Sequence, residues 1–152
     1  MKLRSERKSR RKTRHMVDNL TPERRSWNMS RIRSKDTSPE RLVCSILHRM
    51  GYRFRLHSRD LPGNPDIILP RYRTAIFVHG CFWHRHKGCK FAYTPKTRVS
   101  FWLQKFQNNV ARDKAVKRKF EKSGWKLLTI WECMLQNEQD LQTLLTKKMP
   151  KF

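Results

Sequence analysis

Eleven consecutive residues, His79-Gly80-Cys81-Phe82-Trp83-His84-Arg85-His86-Lys87-Gly88-Cys89, hold three imidazoles, two thiols and two adjacent aromatic rings. They follow an apolar run, Ala75-Ile76-Phe77-Val78, of the size of a buried strand. Thiols and imidazoles at this density suit zinc, which takes four N or S ligands at tetrahedral positions that the fold must bring together. Cys81 and Cys89 are close in the chain. Cys133 can meet them if the stretch ending near Trp131 pairs beside the run Arg73–Val78. Spacing leaves the fourth ligand open. His84 makes a Cys-x2-His pattern, and His86 makes Cys-x4-His-x2-Cys. Cys44 sits inside a helical apolar stripe and reads as a small hydrophobe. The competing reading of all four cysteines is free thiols in a reducing cytosol.

Composition sets the partner. The 152 residues carry 36 Lys or Arg against 12 Asp or Glu, a formal charge of +24. Such an excess repels itself in a folded monomer, and a polyanion relieves it. Nucleic acid fits better than membrane, because no apolar run approaches the length that spans a bilayer. The basic start is followed by no apolar stretch, which argues against a secretory signal and for the cytoplasm. Residues Met1–His15 hold eight Lys or Arg and one Glu and read as a disordered basic arm. The remaining 16–152 has the length of one domain.

Along the chain, 16–36 stays polar, with Leu20, Trp27, Met29 and Ile32 as scattered anchors. The first strong helix has Ser38 as N-cap, Pro39 at its first position, Glu40 toward the dipole and Gly51 at its end. Leu42, Val43, Ile46, Leu47 and Met50 form its 3.6-period stripe. Strand-like segments follow at Tyr52–His57, Pro65–Leu69 and Arg73–Val78, separated by Pro62–Pro65 and Pro70–Tyr72. The last two are nearly continuous apolar runs, as in strands covered on both faces. A long helix over Arg98–Ser123 carries Trp102, Phe106, Val110 and Phe120 and stops at Gly124. Trp125–Trp131 reads as a strand, and Glu138–Lys147 as a closing helix. Helix, three strands, helix, strand predicts an α/β fold with one mixed sheet.

Two further features bear on chemistry. Asp66 follows Pro65 at the head of an apolar strand. A carboxylate there, beside a basic surface, can hold Mg²⁺ on a phosphate, although an Asp after Pro is more often a cap or turn residue. Glu40 is ambiguous in the same way, since an acid at a helix start complements the dipole. Phe82 and Trp83 are core rings or, in their Gly-flanked polar loop, wedges that enter between base steps. Trp102, Trp125 and Trp131 sit on periodic elements and read as core.

Several segments together resemble the very short patch repair (Vsr) DNA mismatch endonucleases. These are Pro62-Gly63-Asn64-Pro65-Asp66, Phe77-Val78-His79-Gly80-Cys81-Phe82-Trp83-His84-Arg85-His86, Phe101-Trp102-Leu103, Asn109-Val110-Ala111-Arg112-Asp113 and Trp131-Glu132-Cys133. The likeness runs from about Trp27 to Leu135 and leaves the arm outside. It implies a restriction-endonuclease-like core, a central mixed sheet flanked by helices, with a structural zinc site. It also implies nicking of duplex DNA on the 5′ side of the thymine in T·G mismatches left by deaminated 5-methylcytosine, which starts very short patch repair. Residue by residue, it makes Asp66 the magnesium ligand, joined by the main-chain oxygen of Val78. His84 becomes the base that activates water, His79 a second active-site histidine, and Glu40 and Asp113 supporting acids. Cys81, His86, Cys89 and Cys133 become the zinc set, and Phe82, Trp83 and Met29 the intercalating residues.

The resemblance further implies Mg²⁺ as catalytic and Zn²⁺ as structural cofactor, in a monomeric bacterial protein that meets the nucleoid through DNA. Mismatch-repair proteins and a DNA polymerase are the implied partners. Independently of the resemblance, the basic side chains Arg31, Lys35 and Arg112 read as phosphate contacts, which position rather than read sequence. The chain departs from that pattern in two places. Val78 stands where a threonine is found in the best-known member, and Arg85–Cys89 is one residue longer between its last histidine and cysteine. An acid-x-Lys pair, common among nucleases, is missing from the strand after Asp66, as it is in the Vsr group. Two other readings compete: a related nuclease with a phage, intron or restriction-linked target, and a non-catalytic zinc-stapled DNA-binding protein.

Overall fold

Each of the first two helices begins with a threonine followed closely by a proline. The computed structural model describes residues 21–32 and 35–149, and the basic arm 1–15 lies outside them. The chain forms two units, Met1–Arg33 and Ser34–Phe152. In the first, α1 (Pro22–Ser30) is capped by Thr21, whose side chain accepts from the Arg24 amide. Glu23 lies in its first turn, and no residue of the helix is buried. The guanidinium groups of Arg24 and Arg31 sit 4.9 and 4.2 Å from the Trp27 ring centre. In sequence this segment shows only scattered anchors. The cap, Pro22 and Glu23 were the available signal, and the missing apolar stripe hid it.

In the second unit, α2 (Ser38–Arg49) starts one residue earlier than the expected Ser38 cap implies. Thr37, in extended conformation, is the cap, and its Oγ1 accepts from the Glu40 amide at 3.4 Å. The Thr37 hydroxyl donates to Glu40 Oε1 at 2.7 Å, and the Asp36 amide donates to Oε2 at 3.0 Å. A Thr-x-x-Glu pair of this kind satisfies helix-start donors that have no partner within the helix. It also leaves Glu40 buried.

β1 (Arg55–Leu56), β2 (Ile67–Leu69), β3 (Thr74–His79) and β4 (Lys126–Trp131) form one sheet in that order. The first two pairings are antiparallel and the third is parallel, so the sheet is mixed as expected. β1 is shorter than the predicted Tyr52–His57. The Tyr52 amide closes back on Leu47 O of the preceding helix, and its ring is buried in the core, edge to face with Tyr72.

Both faces of the sheet are covered. Ile67, Leu69, Ile76, Leu128 and Ile130 pack with Val43, Ile46 and Leu47 of α2, and with Leu141 and Leu145 of α4 (Glu138–Lys148). Ile68 and Ala75 point the other way and pack with Phe120, and with Val116 of α3 (Val99–Ser123). Each fully buried Leu, Ile or Phe contributes about 1.5–3 kcal/mol. Two-sided cover explains why β2 and β3 read as continuous apolar runs. The turn before β2 is locked onto α3 at Gly63. Its φ is +75°, and an added Cβ would lie 2.7 Å from a Val116 methyl, so both the backbone and the space demand glycine. α3 ends at Gly124 in the left-handed conformation, as predicted. No described helix is long and apolar enough to cross a membrane.

Candidate active site and metal centre

The parallel pairing of β3 with β4 decides which loops meet. Its register sets His79 opposite Trp131 at the carboxyl ends of the two strands. Two residues further along each chain, Cys81 and Cys133 therefore emerge side by side. The loop after β3 then coils on itself, with the His84 amide on Gly80 O, the His86 amide on Cys81 O and the Cys89 amide on His86 O. Arg85 has φ +55°, and its guanidinium holds the loop to Tyr93 O and Thr94 Oγ1 at 2.9 and 3.1 Å.

Two clusters result. In the first, Cys81, His86, Cys89 and Cys133 each present one ligand atom within 4.8 Å of the others. His86 Nδ1 lies 3.7 Å from Cys81 Sγ and 3.2 Å from Cys133 Sγ. Metal bonds of about 2.0 Å to N and 2.3 Å to S would put tetrahedral ligand atoms about 3.5–3.8 Å apart. The donor set and its spacing therefore fit a soft tetrahedral cation. Burial pushes the Cys81 thiol up to about 12 and raises Cys133, with the adjoining thiols contributing. At Cys89 the same desolvation is outweighed by hydrogen bonds from the Phe91 amide and its neighbours, and the thiol is lowered. Cys44 belongs to no such group among the described residues. It packs half-buried against the core, and burial with the nearby acids keeps it protonated, at about 11.

In the second cluster, the rings of His79 and His84 stack at 3.8 Å and 9°. His84 Nδ1 lies 2.6 Å from Asp113 Oδ2. Asp113 comes from α3, and one turn earlier Asn109 Nδ2 donates to Trp83 O at 3.0 Å, so one helix face grips the loop twice. Burial, reinforced by the adjacent His84, pushes His79 down to about 4 and keeps it neutral. Burial raises the Asp113 carboxyl, but the His84 hydrogen bond and charge, with His79 and Arg112, outweigh it and hold the group below its usual range.

Asp66 immediately precedes β2 and is tied to β3 one residue before His79. Its Oδ2 accepts from the Val78 amide at 2.8 Å, which anchors the carboxylate next to Val78. Burial raises its pKa, the Val78 hydrogen bond opposes this, and the like charge of Glu40 adds to the rise. A desolvated carboxylate with a second acid nearby suits a hard divalent cation. Glu40 also meets two residues that the sequence reading did not single out. His57 Nε2 is 3.0 Å from Asp36 Oδ1 and 3.9 Å from Glu40 Oε2. His57 takes φ +49° at the end of the β1 segment, while its amide pairs with Asp66 O at 2.9 Å.

Phe82 and Trp83 join neither core cluster of the sheet. Phe82 sits half-buried among Trp83, Tyr93, Trp102 and Phe106, with ring centres 5.0–5.4 Å away. Lys105 Nζ lies 5.2 Å from the Trp83 ring. Trp102 is buried as expected, but within this aromatic group on the first turns of α3. Trp125 packs on the α3 side of the sheet, and Trp131 lies against His79 and His86. Tyr93 and Phe101 border the group and are exposed. Arg31, Lys35 and Arg112 are exposed, and Met29 lies half-buried on α1 in the first unit.

A sequence model of the family described as DNA mismatch endonuclease Vsr matches residues 17–90. The chain is 48% identical over 122 residues to the type II nicking enzyme V.XorIIP of Xanthomonas oryzae pv. oryzae, covering 80% of this chain and 89% of that protein. It is 42% identical over 123 residues to the type II nicking enzyme V.NmeAIP of Neisseria meningitidis, covering 81% and 87%. Against the DNA mismatch endonuclease Vsr of Escherichia coli it is 40% identical over 129 residues, covering 84% and 82%. Identities of 40–48% over at least four-fifths of the chain and of each relative place the chain in the Vsr family of DNA endonucleases.

Proposed function

We propose that this protein is a Mg²⁺-dependent endonuclease that nicks duplex DNA on the 5′ side of the thymine in a T·G mismatch and so opens a short repair patch. The observation that carries this reading is the His84–Asp113 contact of 2.6 Å, with the Asp66 carboxylate fixed on the amide of Val78, the neighbour of His79 in β3. A DNA-binding protein without catalysis has no use for that arrangement. Asp113 accepts from His84 Nδ1–H and thereby leaves Nε2 free to take a proton from an in-line water. The water oxygen forms the new bond to phosphorus as the bond to the 3′-oxygen breaks. Neutral His79 packs flat on His84 and holds its plane. Asp66 and the Val78 main-chain oxygen would hold Mg²⁺, which when bound would supply charge to polarise the phosphate and stabilise the leaving oxygen. Cys81, His86, Cys89 and Cys133 would hold Zn²⁺ as a closed structural centre. Glu40 supports the metal side of the site.

Phe82 and Trp83, with Met29, enter the duplex beside the mismatch, where a wobble pair resists unstacking less than a matched one. Basic side chains, Arg31, Lys35 and Arg112 among them, contact phosphates. The enzyme acts as a monomer in the bacterial cytoplasm, with the basic arm 1–15 preceding one endonuclease domain, and passes the nick to a polymerase and mismatch-repair proteins.

A second reading has its own support: the relatives at 48% and 42% identity are named type II nicking enzymes, which favours a target tied to a restriction system's methylated sequence. One assay separates the readings. Duplexes carrying each mismatch in varied contexts are incubated with and without Mg²⁺, using wild type, Asp66→Ala, His84→Ala and the Phe82→Ala/Trp83→Ala pair. The expected result is Mg²⁺-dependent nicking of T·G duplexes, abolished in the first two variants and weakened in the third. Nicking confined to one flanking sequence supports the restriction-linked target, and full activity of Asp66→Ala or His84→Ala overturns the assigned roles.

A further inference from the structure

Four rings form a continuous path between the two clusters. The His86 imidazole stacks on the Trp131 indole at 4.3 Å and 8°. Trp131 meets His79 edge to face at 5.4 Å and 73°. His79 in turn stacks on His84 at 3.8 Å and 9°. The path is anchored at both ends, by the thiols around His86 Nδ1 and by Asp113 on His84 Nδ1. Its middle is anchored by the backbone, because Trp131 and His79 are register partners across β3 and β4. Phe77 also meets that ring, at 5.6 Å and 59°.

Rings in van der Waals contact cannot turn independently. A ligand bond at His86 Nδ1 fixes the plane of that imidazole, and the stacked indole must follow it. The indole limits the tilt of His79, and His79 limits the tilt of His84. On the functional reading above, the tilt of His84 aims its Nε2 at the attacking water, and an aiming error there is costly. We propose that Trp131 is a positioning residue that carries the geometry of the Cys81–His86–Cys89–Cys133 centre to His84. A metal centre that never touches substrate thereby sets the orientation of the base.

The test uses full-length, zinc-loaded wild type, Trp131→Leu and Trp131→Phe, each checked for native far-UV circular dichroism. The first readout is single-turnover nicking of a T·G duplex, measured beside binding of the same duplex. Trp131→Leu should slow nicking by about 10- to 100-fold, as loss of a metal ligand's supporting partner commonly does, with duplex affinity nearly unchanged. Trp131→Phe, which keeps a ring between the histidines, should recover most of the rate. The second readout is independent of activity: the imidazole Cε1–H proton resonances of His79 and His84 when the larger Cd²⁺ replaces Zn²⁺. Both should shift in wild type and stay in place in Trp131→Leu. Wild-type nicking by Trp131→Leu, or a metal exchange that leaves both resonances unmoved in wild type, overturns the proposal. If wild type nicks no mismatched duplex, the functional reading fails, and the resonance shifts alone decide the coupling.

Discussion

The thiol cluster and the histidine pair draw on the same eleven residues and lie at the same end of the same two strands, yet they are suited to opposite tasks. In the first, four ligand atoms, three from the loop after β3 and one from the helical turn after β4, close within 4.8 Å of one another. In the second, two stacked imidazoles meet one carboxylate from α3, and His84 keeps a ring nitrogen that Asp113 does not use. Closure by soft donors suits a structural cation, whereas a hydrogen-bonded ring with one free nitrogen suits proton transfer. His84 and His86 are only two residues apart. Between them Arg85 takes a left-handed backbone conformation, so the two rings do not share a side as they would in a strand. What differs is the partner supplied from a distance: Cys133 after β4 for one, Asp113 on α3 for the other.

The largest effect that can break this comparison should come from Cys133→Ser. Losing a structural ligand should release the metal and lower stability by about 3 kcal/mol or more, a fall in Tm on the order of 10 °C. Full zinc content after dialysis with an unchanged Tm would remove the metal centre from the account. His84→Ala and His86→Ala then sharpen the contrast as a crossed pair. His84→Ala should cut nicking by roughly 10²- to 10⁴-fold while retaining zinc and melting near wild type. His86→Ala should lose zinc and melt lower. Matching profiles for the two variants would mean that the clusters are one functional unit.

Asp113→Asn should be milder, slowing nicking about 10- to 100-fold by loosening the hold on the His84 tautomer. Asp113 also predicts a pH dependence. Its folded carboxyl is held below the ordinary value, so its stabilisation is present above about pH 4 and is lost as pH falls through the lowered folded value. Melting curves should therefore show a flatter acid limb for Asp113→Asn than for wild type. Parallel limbs would mean that the carboxylate is not stabilised by its histidine neighbours in the folded state.

Local signals made much of the fold legible. Pro39, Glu40 and the stripe through Val43, Ile46 and Leu47 marked α2, and Gly124 marked the end of α3. The apolar runs before Pro70 and His79 marked two covered strands. The element order gave the mixed sheet. The likeness to the Vsr family rested on contiguous blocks such as His79–His86, which need no folding to be read. Other features were less legible. Thr37 and Ser38 are both good N-cap residues and stand side by side, so sequence does not separate them, and α1 lacks the apolar stripe that identifies a helix. Asp36 and His57 carry no pattern of their own, because their meeting with Glu40 depends on a turn and a strand end separated by α2.

The sequence by itself determined the chemistry available to this protein: thiols and imidazoles in one loop, an aspartate at a strand head, a surplus of cations and a family membership. Tertiary structure alone decided which histidine met which partner, and that Trp131, which reads as core from its periodic setting, lies between the two clusters. The reason is the register of β3 against β4. Parallel strands are joined through a distant crossover, here the 25-residue helix α3, and no local spacing reports how such strands align. Once His79 stands opposite Trp131, the positions of Cys81, Cys133, His84 and Asp113 follow from that single alignment and from the helix that makes it possible.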